Sequence, residues 1–491
     1  MSSLPPSPKR VVIIGGGIAG LSTAFALDEH VRTISEKVDC TLVEAQQTWG
    51  GKIVTNRVEG LVIEGGPDSF LTSKPWGLEL CEKLGLTSQL INTNEAQSRT
   101  YTYSQGKLRQ FPQGLVALVP TRLGPLFWNG LLSWPGILRM AGDWVIPARR
   151  GVDQDESLAA FFRRRVGREA FDRLIEPLVA GIYAGDAEEL SVVATFPRFV
   201  ELEERYGGLI RGMLAQRKAT RNSSAAPSPQ RTMFTTLRGG MGDLVMALVE
   251  ALSTHGVTLQ AGRKAVEIKV SALQKGMEVY DITLDDGCVL QADGVVLANP
   301  AYSAAELVRP LKGSAADLLE RIPYASTATV SMAFRRSEVE SLLQGFGFVV
   351  PRVEGRNLIA ATWTSCKWSG RATPELALVR CYLGGRGREA VITLDDEEMV
   401  HVVRKELKLM VRILAAPVYT EVYRWKRGMP QYTLGHLDRL EDLRSSLAEY
   451  PGLFLTGSAY EGVGIPDCIR DASRTVKKLA HYLWKSPPSS C

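Results

Sequence analysis

The chain has 491 residues, 45% apolar and 23% charged, with a formal net charge of +5. That length exceeds one simple core and implies two or three domains, and so small a charge argues against nucleic-acid binding without opposing an anionic substrate or membrane. Seven scattered cysteines without a CxxC pair, and five dispersed histidines without an HExxH spacing, argue against a disulfide framework or any metal site and favour a reducing compartment.

Residues 1–10 are Pro/Ser-rich and lack the apolar core of a signal peptide. Arg10-Val-Val-Ile-Ile14 reads as a buried parallel strand. A glycine turn, a helix over residues 18–28 and a second strand over 40–44 complete a β-α-β unit. Residues 30–39 are longer and more polar than a compact unit needs and read as a surface extension of the helix or its loop. Gly15, Gly17 and Gly20 give GxGxxG between strand and helix. The first glycine permits the tight turn, the second lets backbone approach a pyrophosphate, and the third lets helix and strand pack closely. The helix start offers free N–H groups to phosphates. Glu44 ends the second strand, where it can accept ribose hydroxyls and would repel a 2′-phosphate.

Trp49-Gly50-Gly51-Lys52 and Glu64-Gly65-Gly66-Pro67-Asp68-Ser69 follow. Paired glycines this soon after the ribose acid suit a long cofactor, FAD rather than NAD. A further cluster, Gly239-Gly240-Met241-Gly242, does not follow an apolar strand, so no second nucleotide fold for NAD(P)H is expected. A flavin enzyme of this kind takes electrons from its substrate and passes them to oxygen or another acceptor, as an oxidase or desaturase does.

Residues 114–145 combine Phe127, Trp128, Trp134 and Trp144 with Leu, Pro and Gly, and Arg122, Arg139, Arg149 and Arg150 lie at the margins. The uncharged run 123–138 is too short and broken for a spanning helix of about 20 residues. Its aromatic and basic content fits either core packing or a surface lying on a bilayer interface. Residues 155–178 read as a capped amphipathic helix, 190–216 as further helix and 217–231 as a linker. Strands and turns alternate over 258–296, with Asp285-Asp286-Gly287 as a hairpin turn. Strands are expected at 327–334, 346–350, 376–383 and 453–456, and helices at 395–414 and 465–484.

The run Gly15-Gly-Gly-Ile-Ala-Gly-Leu-Ser22, with Glu44, the glycine pairs above and the closing stretch Leu455-Thr-Gly-Ser-Ala-Tyr-Glu-Gly-Val-Gly-Ile-Pro-Asp-Cys-Ile-Arg-Asp471, resembles the amine oxidase-like flavoproteins. Three stretches narrow the resemblance to the protoporphyrinogen and coproporphyrinogen oxidases: Glu176-Pro-Leu-Val-Ala-Gly-Ile-Tyr-Ala-Gly-Asp186 with Leu190-Ser191, Gln344-Gly-Phe-Gly-Phe-Val-Val-Pro351, and Arg424-Trp425 through Pro430-Gln431-Tyr432 to Gly435-His436. These motifs span nearly the whole chain in order.

The resemblance implies an α/β fold with a Rossmann-like FAD-binding domain (residues 1–80, 238–302 and 440–491). An interleaved α+β substrate domain (81–97, 207–237 and 303–439) and a helical membrane-binding insertion (98–206) complete it. It implies FAD contacts at Gly15, Gly16, Gly17, Ile18, Ala19, Gly20, Glu44, Ala45, Gly51, Lys52, Gly66, Pro67, Asp68, Ser69, Val266, Trp425, Gly457, Val463, Gly464 and Ile465. Val266 would bind adenine by its backbone. Arg99 matches an arginine that pairs with a substrate propionate, and Gly181, Phe346, Val349 and Tyr382 match positions lining the tetrapyrrole cleft. Val349 replaces the commoner leucine, and Tyr382 stands where other members vary.

On residue type alone Trp425 is equally a core aromatic, Arg99 a solvated arginine and His436 a structural histidine. No paired carboxylates or nucleophile–base motif is evident, so no catalytic side chain is expected and the flavin N5 carries the chemistry. The implied reaction is the oxygen-dependent, six-electron conversion of protoporphyrinogen IX to protoporphyrin IX with release of hydrogen peroxide, in haem biosynthesis. The alternatives are oxidation of coproporphyrinogen III, a related amine oxidase or carotenoid desaturase, and a non-catalytic dinucleotide-binding or scaffolding protein. Expected partners are the porphyrinogen, oxygen, a peripheral membrane surface, ferrochelatase as product acceptor and a second copy of the chain. The expected location is cytoplasmic, on the inner face of the cell membrane.

Overall fold

The computed structural model describes residues 8–112, 115–116, 119–120, 126–149, 155–222, 231–274 and 277–484. Arg122, Arg150 and the side chains of Phe127 and Trp128 lie outside the described residues.

Val11, Val12, Ile13 and Ile14 are buried on both sides of strand β1 (Lys9–Ile14), the pattern of a strand inside a parallel sheet. Five parallel strands lie in the order Thr258–Ala261, β2 (Val38–Glu44), β1, Gly294–Leu297, Leu453–Leu455. In register, Ile14 sits between Val43 and Leu297. The strand order reverses at β1, and its C-terminal edge is therefore the crevice where such sheets bind ligands. Helix α1 (Ile18–Ile34) packs with the helix Ile465–Trp484 through a core that includes Leu21, Leu27, Leu479 and Leu483. Most of the extension expected at 30–39 is helix: α1 runs on to Ile34 and closes at Ser35, whose φ is +55°.

A seven-stranded sheet forms the second layer. Its order is Tyr419–Pro430, Tyr324–Arg335, Leu376–Gly384, Leu358–Trp363, Gly347–Val349, Thr100–Ser104, Lys107–Gln110. Period-two alternation divides its faces. Val330, Val379, Cys381, Ala361 and Phe348 pack on one side against Met399, Val403 and Leu407 of the helix Asp396–Val411. Thr329, Arg380, Tyr382 and Val349 take the other side. Thr100–Ser104 pairs in parallel with Gly347–Val349, so residues 100–110, grouped by sequence with the helical insertion, are strands of this sheet. The strand Tyr419–Pro430 has no counterpart in the sequence reading.

The helical part is more broken than the sequence suggests. The helix expected over 155–178 stops after Leu158–Val166 at Gly167, whose φ of +87° is costly for any other residue. The chain resumes through a π-turn, Phe171–Ile175, into Glu176–Tyr183. The helix Leu209–Asn222 reaches into the expected linker, and it packs with the helical core through Leu209, Ile210 and Met213. Residues 223–230 of that linker lie outside the described residues. Buried Arg165 binds equally buried Asp143 (Nε to Oδ1, 2.7 Å), whose other oxygen accepts the Ile210 N–H at 2.8 Å. This ties three segments together.

Candidate functional site

The glycine turn sits at the C-terminal edge of β1. Gly15 has φ +113°, and a Cβ there would press on the Ala298–Asn299 backbone at 2.9 Å. A Cβ on Gly20 would overlap the Gly15 carbonyl, whereas beside Gly17 there is open space. Two glycines thus serve packing and the third leaves room for a ligand. Gly17 caps α1, and Ile18, Ala19 and Gly20 form its first turn. Glu44 accepts the Gly16 N–H at 2.6 Å through one carboxylate oxygen and the Gln46 N–H at 2.8 Å through the other. Its remaining lone pairs can still accept hydroxyls. Ala45 follows it directly out of β2.

Around this turn the later glycine pairs fold back. The Gly50 N–H donates to the Gly16 carbonyl at 2.9 Å, and a Cβ on Gly51 would meet the Gly17 Cα at 3.2 Å. Gly66 lies so close to the Lys52 carbonyl that a Cβ would overlap it. The half-buried Lys52 ammonium lies 6.0 Å from the Tyr324 ring centre, and burial pushes its pKa down to about 8. On the far side, the strand Leu453–Leu455 delivers Gly457, whose N–H donates to Asp471 at 3.0 Å. A Cβ on Gly457 would reach the Ala19 Cβ at 3.6 Å. Val463, Gly464 and Ile465 lead into the helix Ile465–Trp484.

Val266 is the extra residue of a bulge between Ala265 and Glu267 and has no register partner on the facing strand. Its backbone groups are therefore left out of the ladder of this strand pair. The carboxylate of Asp68 accepts the Trp368 indole at 3.2 Å and Ser69 Oγ at 2.7 Å, and faces Lys367 at 3.4 Å. Burial works against its charge, but Lys367 and Arg380 hold the carboxyl well below the usual carboxylate range. Pro67 lies between these two anchored positions. The cluster at residues 239–242 follows the short polar strand Phe234–Leu237, which belongs to a separate antiparallel sheet. The helix start there is closed by Glu64, which accepts the Met241 N–H at 2.7 Å, and by Thr55, which accepts the Gly242 N–H at 2.8 Å.

One carbonyl joins the two layers. Gly65 O accepts the Trp425 indole N–H at 2.8 Å, Arg380 Nη2 at 3.1 Å and Thr329 Oγ1 at 3.3 Å. Trp425 also stacks on Tyr423, with ring centres 6.5 Å apart and planes 6° apart. From this junction a registered row crosses the sheet: Tyr423, Thr329, Tyr382, Ala360, Val349. Val349 and Val463 both pack against the helical core that contains Val179 and Tyr183. Gly181, on the same helix as these two, has open space where a Cβ would stand. Phe346 donates its N–H to the Arg99 carbonyl at 2.7 Å. Arg99 itself is exposed just before Thr100–Ser104. The expected propionate arginine thus precedes the strand that pairs with Val349, and the Gly65–Gly66 turn lies toward the other end of the row, with Tyr382 between.

His436 is buried, stacked on Tyr432 at 4.2 Å, with Nε2 3.3 Å from the Tyr460 carbonyl. Burial lowers its pKa to about 4, which fits a structural histidine. Sequence reasoning missed Arg380, Thr329, Asn299 and Tyr460. Arginine inside the apolar run Leu376–Gly384 was the available signal for the first.

The residues present fit FAD. Space is left beside Gly17, Lys52 is a cation without a carboxylate at ion-pair distance among the described residues, and Asn299 Oδ1 and the Tyr460 hydroxyl are buried without hydrogen-bond partners. Such groups mark a place for a polar ligand.

The family model described as flavin containing amine oxidoreductase matches residues 18–480. The chain is 38% identical over 477 residues to the coproporphyrinogen III oxidase of Bacillus subtilis (strain 168), covering 97% of this chain and 99% of the relative. It is 31% identical over 493 residues to the chloroplastic protoporphyrinogen oxidase of Oryza sativa subsp. japonica, covering 96% and 88%. A solved protein from Exiguobacterium sp. 255-15 superposes with a TM-score of 0.84 at 32% identity, covering 97% of this chain and 99% of that one. Putrescine oxidase bound to putrescine shares the fold alone, with a TM-score of 0.68 at 15% identity over 97% and 99% of the two chains.

Proposed function

The chain belongs to the flavin-containing amine oxidoreductases, and from that premise we propose that it oxidises a porphyrinogen to the porphyrin in haem biosynthesis. FAD is its cofactor. The observation that carries the substrate reading is the likeness, over nearly the full length, to relatives named for porphyrinogen oxidation. The relative with 38% identity is named for coproporphyrinogen III and the one with 31% for protoporphyrinogen, and coproporphyrinogen III is therefore the substrate to offer first.

FAD supplies the acceptor for two electrons at each oxidation step. The protein binds and orients. Gly17 and the start of α1 receive the pyrophosphate, with Lys52 as its countercharge, and Glu44 receives the ribose. Val266 takes adenine by its backbone, and the turn from Gly66 to Ser69, Trp425, Gly457 and residues 463–465 seat the rest. Arg99 takes a substrate carboxylate, for which a guanidinium fork is suited. Gly181, Phe346, Val349 and Tyr382 line the macrocycle's place, and the apolar helical core behind Val349 and Val463 keeps water from the reacting carbon. No side chain is required as a base.

Oxygen is the terminal acceptor in this reading, with hydrogen peroxide released. The protein works in the cytoplasm, peripheral to a membrane, and hands its product to ferrochelatase. The apolar exposure of Trp134 (66%), Leu138 (68%) and Val145 (81%) in the helical part supports the peripheral placement. Among the described residues no helix is long and apolar enough to cross a membrane.

Oxygen uptake and porphyrin fluorescence, with coproporphyrinogen III and protoporphyrinogen IX offered separately beside a non-enzymatic control, test the proposal. Rising fluorescence with about three oxygens consumed per porphyrin supports it, and the faster substrate names the branch. Yellow protein inert toward both sinks it.

A further inference from the structure

Arg380 stands where the strand Leu376–Gly384 is otherwise almost wholly apolar, and it is 4% exposed. Its register neighbours, Ser331 and Thr362, are uncharged. Among the described residues no carboxylate comes within ion-pair distance of it, Asp68 and Glu64 being paired with Lys367 and Arg371, and its Nε is buried without a partner. The Asp68 and Glu64 carboxylates act on it only from beyond ion-pair distance, and a buried cation without a direct ion pair is expensive, so its place needs a reason beyond packing. Its Nη2 reaches two consecutive carbonyls, Gly66 O at 2.6 Å and Gly65 O at 3.1 Å. Its guanidinium carbon lies 4.9 Å from the centre of the Tyr382 ring. One side chain therefore touches both the flavin turn and a residue of the substrate row.

The partners of Gly65 O sharpen the point. Its three donors come from three adjacent strands, Thr329, Arg380 and Trp425. Gly65 can come this close only because it lacks a side chain, since a Cβ would sit 2.7 Å from the Tyr423 ring. Of the three donors, Arg380 alone also holds Gly66, the residue packed on the Lys52 carbonyl.

We propose that Arg380 is a positioning residue: it locks the Gly65–Gly66 turn, and the flavin-holding loop beyond it, to the substrate sheet, so that cofactor and substrate keep one fixed mutual placement. The charge serves because charge-assisted hydrogen bonds to carbonyls are stronger than neutral ones. Arginine serves because one terminal nitrogen, Nη2, donates to both acceptors while the guanidinium carbon stays within cation–π distance of Tyr382, and a lysine ammonium is a compact point charge without that planar group. The inference rests on the flavoenzyme reading and assigns Arg380 no contact with the reacting atoms.

The test compares Arg380→Met and Arg380→Lys with the parent protein. The readouts are FAD affinity by titration of the apoprotein, the visible flavin spectrum, melting of the apoprotein, and the rate of flavin reduction by coproporphyrinogen III. The Met variant should bind FAD about tenfold more weakly or worse, with a shifted flavin spectrum. Its reduction rate at saturating substrate should fall while KM changes little. The Lys variant should recover part of each loss. Unaltered FAD affinity and spectrum in the Met variant, or a loss confined to KM, overturns the proposal. Should the Met variant not fold, the Lys variant decides: affinity a few-fold weaker with unchanged apoprotein melting supports the two-carbonyl hold, and parental affinity overturns it. FAD titration does not depend on porphyrinogen chemistry. A parent protein that binds FAD but oxidises no porphyrinogen would sink the substrate reading and leave the Arg380 assignment to be judged on affinity and spectrum.

Discussion

Glu44 and Gly16 share a hydrogen bond of 2.6 Å from backbone N–H to carboxylate, so the residue expected to face the ribose also braces the glycine turn. Glu44→Gln keeps the shape but replaces one carboxylate oxygen with a donor, which cannot accept from both Gly16 and Gln46. The variant should bind FAD on the order of tenfold more weakly, since charge-assisted bonds are lost at both ends. Fluorescence quenching of FAD titrated into apoprotein measures it.

Gly17 and Gly20 should separate binding from folding. Gly20→Ala places a methyl group against the Gly15 carbonyl and should lower stability by about 1–3 kcal/mol. Gly17→Ala meets nothing within 4 Å. It should leave apoprotein melting nearly unchanged while FAD affinity falls, because the methyl group occupies cofactor space. Melting curves with and without FAD distinguish the two, and equal losses of apoprotein stability would falsify the division of roles.

Lys52 gives the cofactor site a pH dependence. Burial sets its pKa near 8, so its positive charge is lost from the apoprotein as pH rises through that value. FAD affinity should weaken from pH 7 to 9, and Lys52→Met should be weaker throughout with a flatter profile. Isothermal titration across that range is the measurement.

How much of this was legible in the sequence depends on distance along the chain. The β1 turn, Glu44 and the helix 465–484 were readable because glycine spacing and periodicity are local signals. The register row from Tyr423 to Val349 was not, because it joins five strands whose pairing is a tertiary fact. Gly167 hid a helix break inside a strongly periodic segment, and the polar strand Phe234–Leu237 escaped notice because alternation is weak over four residues. The resemblance points to Asp68 as a residue of the cofactor turn but says nothing of what its carboxylate binds. Its anchors, Lys367 and Trp368, lie about 300 residues away.

His436 should make the fold sensitive to acid. Its ordinary pKa of 6.5 falls to about 4 on burial, so the folded state resists a proton that the unfolded chain accepts. The contribution is complete above pH 6.5 and is lost as pH falls through about 4. It amounts to about 3 kcal/mol at most. His436→Gln should melt at a temperature less dependent on pH over that interval, as scanning calorimetry would show.

Trp134 and Leu138 lie one turn apart on the helix Trp134–Ala141, whose start is capped by Ser133 accepting the Gly136 N–H at 3.1 Å. Replacing both by serine leaves that cap intact. Sedimentation with anionic lipid vesicles should show binding reduced on the order of tenfold, with activity on dispersed substrate retained. Unchanged sedimentation would remove this surface from the membrane reading.

The parallel sheet draws its strands from residues 9–14, 38–44, 258–261, 294–297 and 453–455. A nascent polypeptide emerging from the ribosome therefore carries the GxGxxG segment long before its sheet can be finished. Residues 453–484 supply an edge strand and the helix that buries α1. Until they emerge, the first β-α-β unit has exposed apolar surface and an unpaired flank, a species inclined to aggregate and to fold slowly. Holding this segment back with a translational stall should yield chains that need chaperones and retain no FAD, and release should let the fold and its cofactor arrive together.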